Sequence, residues 1–341
     1  MSATSLFAPD KNLALELVRG TEAAVMASGR WMGRGNKNEV DRAAVEAMRY
    51  MLNTVSMNGV VVIGEGEKDE APMLANGESL GTGEGPDVDI AVDPIDGTRL
   101  MAHGLGGALS VVAAAERGAM FSPKNLFYLD KIVTGPEAAD FIDIEAPIHI
   151  NIRRVAKAKS KAVEDVTVIM LDRPRNEAIR EEVRKAGARI RLIPDGDIGG
   201  ALATCGVKGT SADLLLGSGG SPEAVITACA VKCLGGSMQC RPYFRNEADE
   251  VVAMERGIEK HTILDLEDLV RGENVFFAAT GASDGDLLKG VAYSGAHIHT
   301  WSLCMRGKSG TVRYIEAIHS PKKLSELGSS IDYSPGASSH R

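Results

Sequence analysis

The chain has 341 residues, which is enough for roughly two domains or one large layered domain. Its composition, 44% hydrophobic and 25% charged, is ordinary for a folded soluble protein. A net charge of −8 argues against nucleic acid or an anionic membrane as the main partner. The apolar runs are too short to span a bilayer, and the first twenty residues show no signal-peptide core, so we expect a cytoplasmic protein.

Two helices and several short apolar strands are predicted in the first half of the chain. Periodic apolar residues indicate helices over residues 10–32 and 40–52, with Asp10 as the N-cap of the first and Asp41 in the first turn of the second. Glu65 directly follows the first apolar run. The strands are predicted at residues 59–64, 88–92, 108–115 and 131–134.

A strand–helix–strand pattern fills the second half of the chain. Strands are predicted at residues 166–171, 189–193 and 214–216, and each is followed by a turn rich in Arg, Asp or Gly and then by a helix. This alternation is typical of an α/β fold with a mostly parallel core. Further strands are predicted at residues 275–280, 300–305 and 311–318.

A basic, polar stretch at residues 153–164 marks a predicted boundary inside the chain. We expect an N-terminal α+β subdomain over residues 1–160, a C-terminal α/β subdomain over residues 161–320, and a flexible tail over residues 321–341. The five cysteines show neither a zinc pattern nor the even number of a disulfide framework, so they are expected to be buried, inert thiols.

The segment 93–98, with the sequence Asp-Pro-Ile-Asp-Gly-Thr, follows one of the predicted buried strands. Its carboxylates, Asp93 and Asp96, should therefore emerge at a strand end, where open α/β sheets bind their ligands. Carboxylates this close repel each other unless a cation or a shared proton neutralises them, and a hard divalent metal is the simplest neutraliser. The alternative is an Asp-Pro turn whose second aspartate caps a helix.

A second acidic segment, residues 64–70, carries four acids directly after a buried strand. A solvated acidic loop would have the same composition. Its position at a strand end, together with Asp93, Asp96 and Glu223 at other strand ends, favours a cluster of carboxylates that binds metal. The spacing is not that of an EF-hand, and no histidine pattern for zinc is present.

Two further turns contain groups that suit phosphate. The glycine-rich segment 217–222 is similar to a loop whose backbone N–H groups bind an anion at a helix start, although it lacks a dinucleotide-binding fingerprint and the P-loop lysine. Arg173 and Arg175 flank Pro174 at a strand end and offer two guanidinium groups to a phosphate. As alternatives, the arginines form an ordinary surface turn and Glu223 complements the helix dipole.

Together these motifs resemble those of the class II fructose-1,6-bisphosphatases, the bacterial GlpX-type branch of the lithium-sensitive sugar and inositol phosphatase superfamily. The similarity covers residues 12–319. It implies a layered α/β/α/β/α sandwich of the sugar phosphatase type and a homo-oligomer, either a dimer or a tetramer. The motifs are Gly64-Glu65-Gly66-Glu67, Asp69-Glu70-Ala71-Pro72-Met73-Leu74, Asp93-Pro94-Ile95-Asp96-Gly97-Thr98, Arg173-Pro174-Arg175, Asp195-Gly196-Asp197 and Gly219-Gly220-Ser221-Pro222-Glu223.

The resemblance also implies a role for each matching residue. Asp41 and Glu65 match the ligands of one metal ion, and Asp93, Asp96 and Glu223 match those of a second, with Mg²⁺ or Mn²⁺ as the ions. The N-terminal subdomain would then bind metal, and the C-terminal subdomain would bind substrate. The positions that match substrate contacts are Asp96, Gly97, Thr98, Tyr128, Arg173, Pro174, Arg175, Asp195, Gly196, Asp197 and Gly220.

The reaction implied by the resemblance is hydrolysis of the C1 phosphate of fructose 1,6-bisphosphate to fructose 6-phosphate and inorganic phosphate, as in gluconeogenesis. Asp69 matches a catalytic position, and Thr98 together with Asp69 or Glu67 would position or deprotonate the attacking water. The closest alternative is the same chemistry on sedoheptulose 1,7-bisphosphate or an inositol phosphate.

The sequence departs from the usual pattern of the resembled family at several positions. Arg42 follows the predicted metal ligand Asp41, where a glycine is common, and a cation there would compete with metal. Together with Ala75 and Gly107, Arg42 suggests a second alternative, a non-catalytic sensor that binds a sugar phosphate without hydrolysing it. The departing positions are Asn36, Arg42, Ala75, Gly107 and Asn176.

Overall fold

The computed structural model describes residues 12–65, 73–123, 126–254, 258–326, 331 and 333. The helices of these segments are α1 (Leu13–Ser28), α2 (Lys37–Leu52), α3 (Thr98–His103), α4 (Ile148–Ala158), α5 (Glu177–Ala186), α6 (Asp197–Thr204), α7 (Ser221–Cys233), α8 (Glu247–Met254), α9 (Leu266–Leu269) and α10 (Pro321–Glu326). The strands are β1 (Asn58–Ile63), β2 (Ser79–Leu80), β3 (Asp87–Asp96), β4 (Leu109–Glu116), β5 (Tyr128–Thr134), β6 (Thr167–Leu171), β7 (Arg189–Ile193), β8 (Leu214–Gly220), β9 (Ser237–Tyr243), β10 (Phe276–Gly281), β11 (Ala292–Ser294), β12 (His297–Arg306) and β13 (Thr311–His319).

The first sheet runs in the order β2–β1–β3–β4–β10–β12, and β11 and β13 complete it by pairing with β12. The strands β1 and β3 are parallel. The other described pairs of this sheet are antiparallel. The C-terminal strands β10–β13 therefore extend a sheet that begins near the N-terminus.

The second sheet runs in the order β7–β6–β8–β5–β9. Strand β6 is parallel to both of its neighbours, whereas β5 is antiparallel to β8 and β9. The strands predicted at residues 166–171, 189–193 and 214–216 are β6, β7 and β8, and they form the expected parallel core, although most described strand pairs of the whole molecule are antiparallel. The parallel pairs of this sheet are joined by crossover helices, with α5 between β6 and β7 and α6 between β7 and β8.

Helices separate and cover the two sheets in five layers. Helices α1 and α2 pack on the outer face of the first sheet, where Leu17 and Met48 are fully buried. Helices α6 and α7 lie between the sheets, with Val225 in the shared core. Helices α4 and α5 cover the outer face of the second sheet through Ile152 and Val183. The expected α/β/α/β/α sandwich is confirmed.

The first two helices do not start where they were predicted to start. Helix α1 begins after Asn12, which caps it, and the predicted cap Asp10 lies outside the described residues. Helix α2 begins after Asn36, whose side chain accepts the Glu39 N–H at 3.3 Å. Asp41 therefore lies in the second turn of α2 rather than the first. The departure at Asn36 keeps a good cap, because Asn and Asp both accept such a hydrogen bond.

Strand β8 is longer than predicted. Residues 217–220, interpreted as part of a glycine-rich phosphate loop, continue this strand and pair with residues 128–131 of β5. The interpretation of these residues as a loop is wrong, because a ladder of backbone hydrogen bonds does not require the apolar side chains that ended at Leu216. Helix α7 still begins directly after the strand, at Ser221.

The two sheets take strands from both sides of the predicted boundary at residue 160. Strand β5 lies before this boundary and belongs to the second sheet, whereas β10–β13 lie after it and belong to the first. The division into subdomains over residues 1–160 and 161–320 stays a prediction. Helix α10 occupies the start of the predicted tail over residues 321–341.

The five cysteines are free and buried, as expected. Burial raises the pKa of Cys240 to about 12, which keeps this thiol protonated and inert. None of the described helices combines the length and the apolar composition that a membrane span requires.

Glu22 is a buried acid on α1 that should make stability depend on pH. Burial raises its pKa to about 7, although Thr300 donates a hydrogen bond to it at 3.2 Å. The folded protein keeps a proton that the unfolded chain releases above 4.5, so stability should fall as the pH rises from about 4.5 to 7. Glu22→Gln should remove this loss and increase the free energy of unfolding at pH 8 by up to about 3 kcal/mol.

Urea unfolding of wild type and Glu22→Gln at pH 5 and pH 8 checks this expectation. The matched control is Glu16→Gln, which changes an exposed acid of the same helix that pairs with Arg19. This control should keep the wild-type pH dependence. If the stability of Glu22→Gln falls between the two pH values as steeply as that of wild type, Glu22 is not the responsible group.

Candidate active site

The carboxyl ends of β1 and β3 bring three acids to one edge of the first sheet. These strands are parallel, so Glu65 after β1 and Asp93 in β3 lie on the same side. The β3–β4 register slips between Asp93 and Asp96, where Pro94 has no N–H for the ladder. Gly97 follows with a φ of 91° and starts α3. The bulge and the turn direct both aspartates toward one cleft.

The carboxyl ends of β6, β7 and β8 bring further predicted groups to one edge of the second sheet. Arg173 follows β6, Asp195 follows β7, and Gly220 ends β8. Because these strands are parallel, their carboxyl ends lie side by side. Helices α6 and α7 begin directly after the second and third of these ends, with Asp197 and Glu223 in their first turns.

One open cleft of about 420 Å³ collects acids from both sheets. Asp41 of α2 joins the strand-end acids there. Two cations that the sequence analysis did not single out, Lys37 and Arg99, also line the cleft and are exposed. The predicted site residues that line it are Asp41, Glu65, Asp93, Asp96, Gly97, Thr98, Asp195 and Glu223.

The carboxylates of the cleft act strongly on one another. Burial, and then the charges of four neighbouring acids, raise the pKa of Asp93 well above its ordinary value. Burial, and then the charge of Asp197, raise the pKa of Asp96 and of Glu223 in the same direction. Such mutual raising is typical of acids that need a shared cation to be ionised together. The four acids that act on Asp93 are Asp96, Glu65, Glu223 and Asp41.

The donor set of the cleft fits a hard divalent cation. Glu223 Oε2 is buried and has no hydrogen-bond partner among the described residues. Carboxylate oxygens are the ligands that Mg²⁺ and Mn²⁺ prefer. No three acidic, histidine or cysteine side chains of the described segments already lie close enough together to hold one ion. A divalent cation offsets the repulsion between like charges, so a bound ion would allow the carboxylates of the cleft to approach one another.

Asp41 is linked to Thr98, whereas its neighbour Arg42 is engaged elsewhere. Thr98 Oγ1 donates a hydrogen bond to Asp41 Oδ1 at 2.7 Å. Arg42 forms ion pairs with Glu39 and Glu46 on the exposed surface of α2, at 2.7 and 3.0 Å. The guanidinium therefore does not replace a metal ion beside Asp41. This removes the main observation that suggested a non-catalytic sensor.

Of the two predicted phosphate-binding arginines, Arg175 contacts Tyr128 and Arg173 contacts Asp195. Arg175 Nε donates to the Ser218 carbonyl at 2.9 Å, and its guanidinium lies 4.6 Å from the centre of the Tyr128 ring. Arg173 Nη2 donates to Asp195 Oδ1 at 3.0 Å. Arg175 also lines a second cavity of about 410 Å³ on the outer face of β5, β8 and β9. The arginines thus lie beside the acidic cleft rather than within it.

Asn176 connects the arginine turn to β8. Its Oδ1 accepts the Ser218 N–H at 2.8 Å, and its Nδ2 donates to the Leu171 carbonyl at 3.0 Å. Pro174 is exposed and begins the short 3₁₀ turn that ends at Asn176. The departure at Asn176 therefore leaves the position of Arg175 fixed. Both partners of Asn176 are backbone groups, which leave no pattern in the sequence. The role of Asn176 could therefore not be predicted.

Two glycines allow helix starts to approach the acids closely. A Cβ atom on Gly220 would overlap Glu223 Oε2. Gly196 has a φ of 77°, and a Cβ atom there would lie 3.4 Å from Asp96 Oδ2. Glycine at 196 therefore lets an end of the second sheet approach Asp96 of the first, and glycine at 220 leaves room for the Glu223 carboxylate at the start of α7.

Lys131 is a buried cation in this acidic region, and the sequence analysis missed it as a site residue. Its Nζ donates to Asp197 Oδ2 at 2.6 Å, and the two side chains are 2% and 7% exposed. Burial alone would lower the pKa of Lys131, but the charges of Asp197 and Glu223 raise it above its ordinary value. Lysine is rarely buried without a partner, so the strand sequence alone gave no signal for this position.

The acids Glu67 and Asp69, predicted to act on the attacking water, lie outside the described residues. Glu65, just before them, lines the cleft. Of the three catalytic candidates, the structure therefore describes Thr98. Its hydroxyl contacts the Ile95 carbonyl at 3.1 Å in addition to Asp41.

Known proteins match the chain over most of its length. A sequence model of the family described as bacterial fructose-1,6-bisphosphatase, glpX-encoded, matches residues 11–319. The class 2 fructose-1,6-bisphosphatase of Haemophilus influenzae is 44% identical over 323 residues, which cover 91% of this chain and 96% of that protein. Fructose-1,6-bisphosphatase 1 class 2 of Escherichia coli K12 is 43% identical over 322 residues, which cover 91% of this chain and 95% of that protein. The chain therefore belongs to the bacterial class II fructose-1,6-bisphosphatase family.

Proposed function

We propose that this enzyme hydrolyses the C1 phosphate of fructose 1,6-bisphosphate to fructose 6-phosphate and inorganic phosphate. As a member of its family, the chain is a phosphatase of carbohydrate metabolism. The observation that carries the proposal for this chain is the single cleft in which acids from both sheets face one another. A phosphate ester can approach such a cleft only when cations lie between it and the acids.

We infer that Asp41 and Glu65 hold one divalent ion and that Asp93, Asp96 and Glu223 hold a second. The buried Glu223 Oε2 atom without a partner supports this inference. So do the raised pKa values of the three acids of the second set, each of which is raised by burial and then by the charges of neighbouring carboxylates. Mg²⁺ or Mn²⁺ bound there would neutralise the charge of the reacting phosphate.

Residues of the first sheet and α3 suit the hydrolytic step. Asp41 fixes the Thr98 hydroxyl at the start of α3, where this hydroxyl would position the attacking water. Water attacks phosphorus opposite the C1 oxygen, and the bond between phosphorus and that oxygen breaks. The C1 oxygen takes up a proton from solvent, and fructose 6-phosphate and inorganic phosphate leave. Asp69 or Glu67 would accept the proton of the water.

Residues of the second sheet suit the sugar and its distal phosphate. Arg173 and Arg175 would bind the C6 phosphate through charge-assisted hydrogen bonds. Asp195 pairs with Arg173, and Asp197 pairs with Lys131, so both carboxylates are neutralised by the protein. Such carboxylates accept hydrogen bonds from sugar hydroxyls without repelling a nearby phosphate. We propose that Gly196, Gly220, Pro174 and Tyr128 complete these contacts.

A phosphate-release assay tests the proposed function. The purified protein with Mn²⁺ or Mg²⁺ should release phosphate from fructose 1,6-bisphosphate and form fructose 6-phosphate, and a chelator should stop the reaction. A higher kcat/KM on sedoheptulose 1,7-bisphosphate or an inositol phosphate would change the assigned substrate. Binding of these esters without release of phosphate from any of them would contradict the proposal.

Arg175→Ala should weaken recognition of the distal phosphate. We expect KM for fructose 1,6-bisphosphate to rise by roughly tenfold to a hundredfold, because a hydrogen bond between charged groups contributes about 1.5–3 kcal/mol. Fructose 1-phosphate, which lacks the distal phosphate, should be hydrolysed by the variant and by wild type with similar kcat/KM. Initial rates on the two esters measure this difference.

The matched control for Arg175 is Arg180→Ala. Arg180 is the next arginine along the chain, and it pairs with Asp172 and Glu177 outside both cavities. Its loss should leave KM for both esters unchanged. An equal loss on both esters in Arg175→Ala would show that Arg175 supports the site generally and does not recognise the distal phosphate.

We also propose that the enzyme acts in the cytoplasm as a homo-oligomer, either a dimer or a tetramer. The five buried free thiols fit a reducing compartment. The net charge of −8 gives no support to a nucleic-acid or membrane partner. Light scattering coupled to size-exclusion chromatography would decide the subunit number, and a monomeric mass would contradict this part of the proposal.

A further inference from the structure

The acids of the site fall into two groups that differ in their protein partners. Asp195 pairs with Arg173 at 3.0 Å, and Asp197 pairs with Lys131 at 2.6 Å. These acids are the ones expected to contact sugar. Three of the expected metal ligands differ from them, because no described lysine or arginine forms an ion pair with these acids. They are Asp93, Asp96 and Glu223. The sugar-binding acids are therefore in direct contact with a protein cation, whereas Lys131 acts on Asp96 and Glu223 through its charge without forming an ion pair with them.

Lys131 lies where it can enforce this division. It projects from β5 into the layer between the sheets, and its pair with Asp197 is almost fully buried. A Cβ atom on Gly219 would lie 2.9 Å from Lys131 Nζ and would overlap the Asp197 carboxylate. Glycine at this position makes room for the ion pair. The carboxylate of Asp197 also lies close enough to Asp96 and Glu223 to raise their pKa values.

We propose that Lys131 is a positioning residue that holds Asp197 for the sugar and prevents this carboxylate from joining the metal ligands. The proposal rests on the proposed function. Without the ammonium group, Asp197 would add an uncompensated negative charge beside Asp96 and Glu223, and cations would bind more tightly. The same carboxylate would no longer be a fixed acceptor for a sugar hydroxyl. Metal binding and substrate binding should therefore change in opposite directions.

Lys131→Met tests the proposal. The affinity of the metal-free enzyme for Mn²⁺, measured by titration with electron paramagnetic resonance, should increase about tenfold. KM for fructose 1,6-bisphosphate should rise about tenfold, with a smaller change in kcat. A lysine that only supports the fold would give another pattern, because local unfolding would weaken both metal and substrate binding.

Three further variants control for charge and for folding. Lys131→Arg keeps the charge and should bind Mn²⁺ as wild type does. Lys131→Met combined with Asp197→Asn leaves a neutral pair, so it should bind Mn²⁺ as wild type does while KM stays high. Lys159→Met removes a lysine that is 10% exposed and lies near Asp213, before the opposite end of β8, and should change neither value.

The outcomes are distinct. Unchanged or weaker Mn²⁺ binding by a folded Lys131→Met variant would overturn the proposal. If this variant does not fold, Asp197→Asn replaces it: Lys131 then keeps an uncompensated positive charge, so Mn²⁺ affinity should fall about tenfold, and an unchanged affinity would overturn the proposal. A wild-type enzyme that releases no phosphate would contradict the proposed function instead, because the Mn²⁺ titration does not depend on turnover.

Discussion

Replacing Asp93 by asparagine should abolish metal-dependent phosphate release and, at the same time, stabilise the metal-free fold. Asp93 ends the regular part of β3, and its pKa is raised by burial and then by the charges of Asp96, Glu65 and other acids. The asparagine side chain cannot supply an anionic ligand. Loss of a residue that only supports a metal ligand costs up to about a hundredfold in activity. Because Asp93 is expected to be a ligand itself, we expect kcat/KM to fall by more than about a hundredfold.

The gain in stability of Asp93→Asn should depend on pH. Because the folded state raises the pKa of Asp93 above 3.8, the metal-free wild type should lose stability as the pH rises from about 4 through that raised pKa. The variant lacks this loss, so its Tm in the presence of chelator should exceed that of wild type at pH 8 and match it near pH 4. Differential scanning calorimetry at the two pH values measures the effect.

The matched control for Asp93 is Asp89→Asn on the same strand. Asp89 is buried, accepts the Met120 N–H at 3.1 Å and lies 3.5 Å from Arg117. Its replacement should lower Tm at pH 8 and leave metal-dependent release almost intact. Near-normal turnover in Asp93→Asn would refute its assignment as a metal ligand, and a lower Tm in chelator would refute the repulsion between acids.

The strand-end acids of the site could be predicted because each comes shortly after an apolar run, whereas Asp41, inside α2, was expected as a ligand only from the family resemblance. A run such as residues 88–92 forms a strand in almost any α/β context, so Asp93 had to appear near its carboxyl end. Parallel pairing of β1 with β3, and of β6 with β7 and β8, then brings such ends together. The sequence order does not state which sheet each strand joins, so the addition of β10–β13 to the first sheet was not predicted.

The parts of the site that escaped prediction depend on partners distant in sequence. Lys131 is separated from Asp197 by 66 residues, and nothing near Lys131 in the chain indicates its burial. Residues 217–220 of β8 contain glycine and serine, whose strand conformation is fixed by pairing with β5 and not by their own preference. Asn36 was identified as a departure, but its capping role became clear only from the start of α2.

Gly220→Ala should weaken metal binding and activity without unfolding the enzyme. Gly220 has a φ of −60° and a ψ of 144°, which alanine adopts freely, so the backbone should tolerate the change. The added methyl group, however, would occupy the space of Glu223 Oε2. The Glu223 carboxylate would therefore have to move away from its present position. We therefore expect metal affinity and kcat/KM to fall by about tenfold to a hundredfold, as when the orientation of a metal ligand is lost.

Gly199→Ala is the matched control for this variant. Gly199 lies in α6, and a Cβ atom there would approach only a methyl group of Leu109, at 3.3 Å. Its replacement should keep activity and slightly raise Tm, because alanine favours the helix. Isothermal titration with Mn²⁺ and phosphate-release rates compare the two variants directly.

A double-mutant cycle with Glu223→Gln separates a specific displacement of Glu223 from general damage at the turn. If Gly220→Ala acts by moving the Glu223 carboxylate, it should have almost no further effect on Mn²⁺ affinity once that carboxylate is gone. If the losses of the two single variants add in the double variant, the methyl group disturbs the site by another route. The cycle therefore measures how much metal binding depends on the orientation of the Glu223 side chain. Gly220 permits this orientation because it has no side chain of its own.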